Sequence, residues 1–419
     1  MLLQRELTYS PIQYKFLNEP GDAVGVKYIQ QHPPPYHPII SHVNQKPILV
    51  TGIGGYIACH ILEVLFSRGY SVRGTVRSTD PNRNRHVWSI YDKWRKVNSD
   101  IRLELFEADL LREGSFDDAV NGCDYVLHVA SPFVLDVKDK QRDLIDPAKL
   151  GTLNVLRSCA KFHVRKVVLT SSIASITPAG VPTNCSRLTK VFDENDWNEQ
   201  SSIDENPYYY SKKLAEEAAW DFMRDLERTN GTNGGGEPMK LVVINPTLVW
   251  GPSHTKTINQ SVSVVSKIAL GEFPFIFNFS WCSVDVRDVA EAHVRAIEIP
   301  TVSGRYICGN ETVSMNYMCK TMKKHFPQLS SIPQCSLTGA VGDALIVTSS
   351  LVQPSGLGTY LRSNISHIVF VNNQKIVNEM GMTFRSMEQT IVDTTRSLIE
   401  LRLVPVPPNN SKPLLTSKL

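Results

Sequence analysis

Tyr208 and Lys212 are the two residues of this chain whose types and spacing most directly indicate chemistry. They lie in segment 206–222, whose apolar pattern is typical of a helix. Residues four apart lie about one turn from each other on one helix face, so the Lys212 ammonium would lie beside the phenol. A neighbouring cation favours the phenolate and makes a tyrosine a better acid and base near neutral pH. The pair therefore predicts proton transfer.

A second pair with the same spacing, Tyr209 and Lys213, lies one residue further on. The helical repeat groups the first pair with a small and apolar face made of Ala215, Ala219, Phe222 and Leu226. It groups the second pair with a solvent face made of Glu216, Glu217 and Arg224. Because an apolar stripe must pack inward, we assign the chemistry to the first pair. A tyrosine on an amphipathic helix with a surface lysine is the alternative that the motif alone leaves open.

Segment 46–60 is predicted to form a strand, a glycine turn and a helix. Gly52 and Gly55 let the backbone turn tightly and approach a diphosphate, and the small Ala58 permits close packing of helix and strand. The free N–H groups at the start of the helix, at Tyr56 and Ile57, would attract phosphates. This pattern favours a dinucleotide site, and a tight connection without a ligand is the alternative.

Strand and helix patterns alternate after this turn, which is what a parallel sheet with crossover helices requires. The predicted strands are 71–76, 101–107, 125–130 and 166–172, and a helix is predicted at about 143–162. The last of these strands ends in Ser171 and Ser172, at the edge where such sheets bind ligands. The predicted fold class is α/β, a Rossmann-type doubly wound parallel sheet.

Arg77 follows the second strand, at the place where an NAD-binding site has an acidic residue that holds the ribose 2′-hydroxyl. An arginine suits a 2′-phosphate instead, so the predicted cofactor is NADP(H). Arg73, Arg83 and Arg85 lie nearby and could add positive charge.

Composition narrows the class of protein. The net charge is +3, from 44 basic and 41 acidic residues mixed along the chain, which argues against nucleic-acid binding. No stretch approaches the roughly 18 apolar residues of a membrane span, and no secretory signal or Cys-x-x-Cys pair is present. We therefore expect a cytoplasmic protein with free thiols, no metal and no membrane partner.

Six blocks occur in the order found in extended short-chain dehydrogenases/reductases, and the chain resembles that family from about Pro47 to Leu403. The resemblance is greatest to the NADPH-dependent aldehyde and ketone reductases related to methylglyoxal reductase and dihydroflavonol reductase. The blocks are residues 50–58, 128–133, 168–172, 208–220, 245–252 and 284–293.

The resemblance implies a role for each matching residue. Tyr208 would be the proton donor, Lys212 its activator and a ribose ligand, and Ser172 the residue that holds the substrate oxygen. Further cofactor contacts are implied for Asp109 and Leu110 at the adenine, Ala130 and Ser131 at the ribose and diphosphate, and Pro246 and Leu248 near the nicotinamide.

Two residues depart from the family pattern. Leu150 stands before Gly151 where the family usually has an asparagine, which puts the proton relay attributed to that residue in doubt. Thr177 stands where dihydroflavonol reductases tend to have an asparagine that holds flavonoid hydroxyls. We take this second departure as evidence against a flavonoid substrate.

The predicted domains are a disordered Pro-rich tail (1–46), an NADP-binding Rossmann domain (47–245), the smaller C-terminal substrate-binding domain that the resemblance implies (246–403), and a short Pro-rich tail (404–419). Residues 283–295 are expected to return to the sheet, and residues 336–367 look like an insertion, a rebuilt pocket wall or a surface loop. The predicted function is reduction of a small-molecule aldehyde or ketone by a monomer or homodimer. The alternatives are a sterol dehydrogenase or nucleotide-sugar epimerase of the same family, and a redox sensor that binds the dinucleotide without catalysis.

Overall fold

The computed structural model describes residues 15–16, 26–27, 46–131, 139–178, 181–182, 190–233, 238–352, 361–362 and 365–406. The strands, in chain order, are β1 (Lys15–Phe16), β2 (Val26–Lys27), β3 (Ile48–Thr51), β4 (Val72–Val76), β5 (Leu103–Glu107), β6 (Tyr125–His128), β7 (Lys166–Thr170), β8 (Val181–Pro182), β9 (Lys240–Pro246), β10 (Leu248–Trp250), β11 (Ser280–Asp285), β12 (Gly304–Cys308), β13 (Glu311–Ser314) and β14 (His367–Ile368). The helices are α1 (Tyr56–Ser67), α2 (Arg85–Arg95), α3 (Asp117–Val120), α4 (Asp146–Lys161), α5 (Pro207–Asn233), α6 (Gln260–Leu270), α7 (Val286–Glu298), α8 (Met315–His325), α9 (Ala340–Ser349), α10 (Gln374–Met380) and α11 (Met387–Glu400).

Seven of the strands form one parallel sheet in the order β5-β4-β3-β6-β7-β9-β12. The chain starts near the middle at β3, moves outward to β4 and β5, and then crosses to β6 on the other side of β3. The winding therefore reverses between β3 and β6, and the crevice beyond their carboxyl ends is where such sheets bind ligands. The predicted fold class is confirmed.

Helices cover both faces of this sheet, which explains why its central strands are apolar on both sides. Ile48 and Val50 pack in a core cluster with residues of α1, α2, α7 and α10. Leu49, between them, belongs to the cluster on the opposite face with residues of α3, α4 and α5. Because successive side chains of a strand point to opposite faces, β3 is anchored on both sides.

The smaller domain has its own core, built from α6, α8, α11 and a three-stranded sheet in the order β10-β11-β13. Trp250 is completely buried in it and makes an edge contact with Trp281 at 6.1 Å between ring centroids. Trp281 in turn stacks on Phe279 at 5.7 Å. These large rings fill the space between the helices.

Two elements pair differently from what the predicted domain boundaries imply, and the boundaries themselves stay a prediction. Within 283–295, the predicted return to the large sheet, α7 packs on that sheet, but the preceding β11 pairs with β10 and β13 of the smaller domain. In addition, β12 joins the edge of the large sheet beside β9, and α10 packs against it. A short local pattern can predict a strand, but it does not indicate which sheet that strand joins.

The terminal segments lie mostly outside the described residues. Within 1–46, β1 and β2 form a short antiparallel pair, and β2 contacts β13. The prediction that this segment is a disordered tail stays a prediction, as does the tail at 404–419, of which 407–419 lie outside the description. Residues 336–367 include α9, and β14 at their end pairs with β8. None of the described helices has the length and apolar character needed to cross a bilayer.

Candidate active site

The glycine turn after β3 has the geometry that a dinucleotide site needs. Gly52 has φ +63°, a conformation that disfavours other residues, and a Cβ there would lie 3.0 Å from the Ala130 Cβ. A Cβ on Gly55 would lie 3.1 Å from the Gly52 carbonyl oxygen. Helix α1 begins directly after the turn without a side-chain cap, so its first N–H groups, at Tyr56 and Ile57, are available for an anion.

Thr51 holds the glycine turn against the end of β6. Its hydroxyl oxygen accepts the N–H groups of Val129 at 3.1 Å and Ala130 at 3.0 Å, so its single hydrogen is donated to Nδ1 of His128 at 2.9 Å. Burial lowers the pKa of His128 to about 3, so the imidazole is neutral. This network fixes the position of Ala130 beside Gly52.

Arg77 directly follows β4 and is exposed. It makes no hydrogen bond or ion pair with any other residue that the structure describes. The nearby Arg73 is different, because its guanidinium pairs with Glu104 at 3.1 Å and donates to the Asn121 carbonyl at 2.5 Å. Arg77 is therefore the better placed of the two arginines for an anionic ligand.

The residues predicted at the adenine lie just beyond β5. Asp109 is exposed, and one of its carboxylate oxygens accepts the Leu111 N–H at 2.8 Å. Leu110 is half-buried and packs so closely on α4 that a Cβ on Gly151 would lie 3.0 Å from the Leu110 Cβ. Both follow the carboxyl end of a strand, on the same edge of the sheet as the glycine turn.

Ser172, Tyr208 and Lys212 meet at the carboxyl edge of β7. The hydroxyls of Tyr208 and Ser172 are hydrogen-bonded, and Ser172 Oγ also accepts the Ala174 N–H at 3.2 Å. The Lys212 Nζ lies 5.8 Å from the centroid of the Tyr208 ring and donates to the Ser131 Oγ at 2.8 Å. The predicted catalytic residues are thus brought together, and Lys212 joins them to Ser131 on the cofactor side.

Burial changes the proton affinity of both members of the Tyr–Lys pair. It raises the pKa of Tyr208 to about 12, and the hydrogen bond from Ser172 opposes part of this rise. Burial lowers the pKa of Lys212 to about 8, because the protein interior disfavours the ammonium. Close to neutral pH, Lys212 is therefore poised to exchange a proton while Tyr208 keeps its own.

The second pair with this spacing, Tyr209 and Lys213, makes different contacts. Lys213 forms ion pairs with Glu199 at 3.1 Å and Glu217 at 3.8 Å, and Tyr209 meets Tyr208 ring edge to face at 6.1 Å. The prediction that Glu216 lies on this solvent face is wrong, since only 1% of Glu216 is exposed. Glu216 follows Lys212 by four residues and therefore lies on the same helix face. The sequence-based division into an apolar face and a charged face placed it on the wrong side because it is charged.

The residues predicted near the nicotinamide lie at the end of β9 in the large sheet and at the start of β10. Pro246, at the end of β9, is buried, and Leu248, at the start of β10, is half-buried. The side chain of Tyr56 does not face a phosphate, because its hydroxyl donates to the Gly251 carbonyl at 3.0 Å. Tyr56 is left with its backbone N–H for the predicted cofactor contact, and its ring ties the glycine turn to β10.

The two departures from the family pattern have clear locations. Leu150, on α4, is 48% exposed. Thr177 is buried, and its hydroxyl donates to the Ile173 carbonyl of its own turn at 3.4 Å. A hydroxyl occupied in this way does not replace an amide that would hold a ligand.

Three polar residues that the sequence reasoning missed lie behind the site, namely Glu216, Asn245 and Arg305, all buried. Arg305 interrupts the otherwise apolar β12, and a charged residue inside a buried strand is a signal that could have been noticed. No group of three or more His, Cys, Asp or Glu side chains suited to a metal ion occurs in the ranges that the structure describes.

A glycine turn at the switch point of a doubly wound sheet, joined to a Ser–Tyr–Lys group through Ala130 and Ser131, defines a dinucleotide-dependent oxidoreductase. The family model named NAD dependent epimerase/dehydratase family matches residues 48–309. The chain belongs to this family, the extended short-chain dehydrogenases/reductases, which confirms the resemblance noted above.

Individual relatives are reductases. Cinnamoyl-CoA reductase 1 of Petunia hybrida is 33% identical over 377 residues, covering 89% of this chain and 98% of that protein. Dihydroflavonol 4-reductase of Arabidopsis thaliana is 34% identical over 294 residues, covering 68% of this chain and 71% of that protein. The solved yeast methylglyoxal/isovaleraldehyde reductase Gre2, complexed with NADPH, superimposes with a TM-score of 0.65 at 27% identity, covering 86% of this chain and all of that one (100%).

Proposed function

We propose that this protein is an NADPH-dependent reductase that converts the carbonyl group of a small aldehyde or ketone into an alcohol. The observation that carries the proposal is the meeting of Ser172, Tyr208 and Lys212 at the carboxyl edge of the sheet, where Lys212 bonds Ser131, the neighbour of the Ala130 that packs against Gly52. The relatives are reductases, and the yeast structure was solved with NADPH, which supports the choice of cofactor.

The residues present fit NADPH, because the turn is a cradle that a Cβ at Gly52 would fill and Arg77 is exposed beside it. In the proposed complex, the N–H groups at the start of α1 hold the diphosphate and Arg77 pairs with the 2′-phosphate. The other contacts follow the sequence prediction: Asp109 and Leu110 at the adenine, Ala130, Ser131 and Lys212 at the ribose, and Pro246 and Leu248 beside the nicotinamide. When bound, the cofactor supplies the hydride.

The chain's own residues supply orientation and a proton. Ser172 holds the substrate oxygen by a hydrogen bond, and Tyr208 donates its phenolic proton to that oxygen as negative charge develops there. Lys212 lowers the cost of the resulting phenolate through its positive charge, which counteracts the rise in the Tyr208 pKa caused by burial. Because Leu150 has no polar group, no side chain at that position can relay the proton that replaces the one lost from Tyr208.

A second candidate substrate class is an acyl-CoA thioester. The observation that favours it is the match to Petunia hybrida cinnamoyl-CoA reductase 1, because the matched region covers 98% of that protein. Hydride addition to a thioester carbonyl followed by loss of the thiol gives an aldehyde, and the first step places the same demands on Ser172 and Tyr208. Sterol oxidation and epimerisation are less favoured, because Arg77 suits NADP(H).

The test is oxidation of NADPH by purified protein, followed at 340 nm, with aldehydes, diketones, flavonoids, sterols and acyl-CoA thioesters. We expect turnover with at least one aldehyde, ketone or thioester and none with NADPH alone. Tight NADPH binding without turnover on any compound would favour the sensor alternative. We expect a small-molecule substrate, a cytoplasmic location and a monomer or homodimer.

A further inference from the structure

Glu216 is a buried carboxylate directly beneath the catalytic group. It lies on α5 one turn after Lys212 and two turns after Tyr208, and 1% of it is exposed. A buried carboxylate is strongly unfavourable unless charged and polar partners surround it. The partners of Glu216 therefore indicate why it is there.

One carboxylate oxygen pairs with Arg305 of β12, whose Nε donates to Oε1 at 2.6 Å. The same guanidinium stacks on the Trp197 ring at 3.9 Å and donates to the carbonyls of Glu194 at 3.0 Å and Asp196 at 2.6 Å. The ion pair thus joins α5 to the edge of the large sheet and to the loop that leads into α5.

The other oxygen faces the segment that carries Ser172. Oε2 of Glu216 lies 2.5 Å from the hydroxyls of both Ser171 and Ser175 and accepts the side-chain amide of Asn245 at 2.8 Å. Ser171 precedes Ser172 in the chain, and Ser175 Oγ lies 2.7 Å from the Ser172 carbonyl. A single carboxylate oxygen therefore holds the turn on both sides of Ser172.

Glu216 also faces Lys212 across a small cavity of about 20 Å³, which has room for one water molecule. Its polar lining includes Ser131, Thr152 and Ser171 in addition to the two charged residues. The titratable groups around Lys212 are Tyr208 and Glu216 on its own helix and His128 from β6, and Arg305 faces Glu216 from β12. Across the sheet, His293 of α7 bonds the Thr170 hydroxyl at 2.6 Å, and Thr170 also lines the cavity.

We propose that Glu216, held by Arg305, is a positioning residue for the reaction, which sets the orientation of Ser172 and the charge of Lys212 from inside the protein. The inference rests on the proposed function. A glutamine at this position cannot keep all of these hydrogen bonds, because in either orientation its NH₂ group would lie against another donor. One orientation turns the NH₂ towards Arg305, and the other turns it towards Asn245.

The experiment compares Glu216→Gln with Glu217→Gln, its neighbour outside this network, in the intact chain. For Glu216→Gln, we expect kcat to fall about 10-fold to 100-fold, the range that loss of hydrogen bonds to a charged group gives, with the Kd for NADPH unchanged within about twofold. We also expect the alkaline limb of kcat/KM to move to lower pH. Loss of the nearby negative charge favours the neutral amine of Lys212. Glu217→Gln should leave all three quantities unchanged.

Ser171→Ala provides a milder variant if Glu216→Gln does not fold. It removes one bond next to Ser172 and keeps the charge, so kcat should fall about tenfold while the alkaline limb stays in place. A merely structural role predicts lower melting temperature and weaker NADPH binding without any shift of the limb, and that result would overturn the inference. So would kinetics of Glu216→Gln and Ser171→Ala equal to those of Glu217→Gln. If the wild-type chain itself turns over no substrate, the proposed function fails first and the inference fails with it.

Discussion

Arg77 offers a sharp test of the cofactor assignment, because it is exposed and engages no other described residue. In the proposed complex, its guanidinium pairs with the 2′-phosphate that distinguishes NADPH from NADH. Hydrogen bonds to charged groups contribute about 1.5–3 kcal/mol, and solvent screening places an exposed pair at the lower end. About 1.5 kcal/mol corresponds to roughly a tenfold change in the ratio of the two specificity constants.

We therefore expect wild-type protein to have a much higher kcat/KM with NADPH than with NADH. Arg77→Ala should reduce this ratio about tenfold. Arg77→Asp should reduce it further or invert it, because a carboxylate repels the 2′-phosphate and accepts a hydrogen bond from a free 2′-hydroxyl. The assay is initial-rate kinetics with both cofactors at saturating substrate.

Arg73→Ala is the matched control, because the Arg73 guanidinium is already committed to Glu104 and to the Asn121 carbonyl. This change should leave the cofactor ratio unchanged even if it lowers stability. Equal kcat/KM values of the wild type with NADPH and NADH would refute the reasoning, as would an Arg77→Asp variant that keeps the wild-type preference.

Three further predictions concern the tail, pH and the glycine turn. Although β2 contacts β13, Met1–Gln45 has no periodic apolar face, so its deletion should leave melting temperature and turnover nearly unchanged. A large loss of either would show that the segment contributes to the stability of the fold or to the site. Because burial lowers the pKa of Lys212 to about 8, kcat/KM should fall as pH rises through this value and the ammonium is lost, whereas a rate that stays constant well above it would contradict the assignment. Gly52→Ala should weaken NADPH binding at least tenfold, because the added Cβ would lie 3.0 Å from the Ala130 Cβ. The control is Gly122→Ala, which also has a positive φ but has open space around it, and this change should affect only stability.

The alternation of strands and helices could be predicted because local patterns determine it. The predicted strand 71–76 agrees with β4 (Val72–Val76) to within one residue, and the helix predicted at about 143–162 agrees with α4 (Asp146–Lys161) to within three. Short apolar runs bounded by turn residues and amphipathic repeats carry this information within a few neighbouring residues. The partner of each strand is a non-local property, which is why β12 was assigned to the smaller domain although it pairs with β9.

The front of the candidate site was also predictable, since Gly52, Ser172, Tyr208 and Lys212 belong to compact motifs. Its back was not, because Glu216 and Arg305 lie 89 residues apart and become partners only when β12 joins the sheet. A charged residue on a helix is normally solvated, and only the folded structure shows that this one is enclosed.

Paired phenylalanine substitutions at Tyr208 and Tyr209 test the central claim most directly. Tyr208→Phe keeps the ring and its packing and removes the proton, so carbonyl reduction should fall by the factor typical of a general acid, about 100-fold to 10,000-fold, while NADPH still binds. Tyr209→Phe, which alters the neighbouring ring in the same way, should retain nearly full activity. If Tyr209→Phe is the inactive variant, or if Tyr208→Phe reduces a confirmed substrate at the wild-type rate, Tyr208 is not the proton donor and the account is wrong.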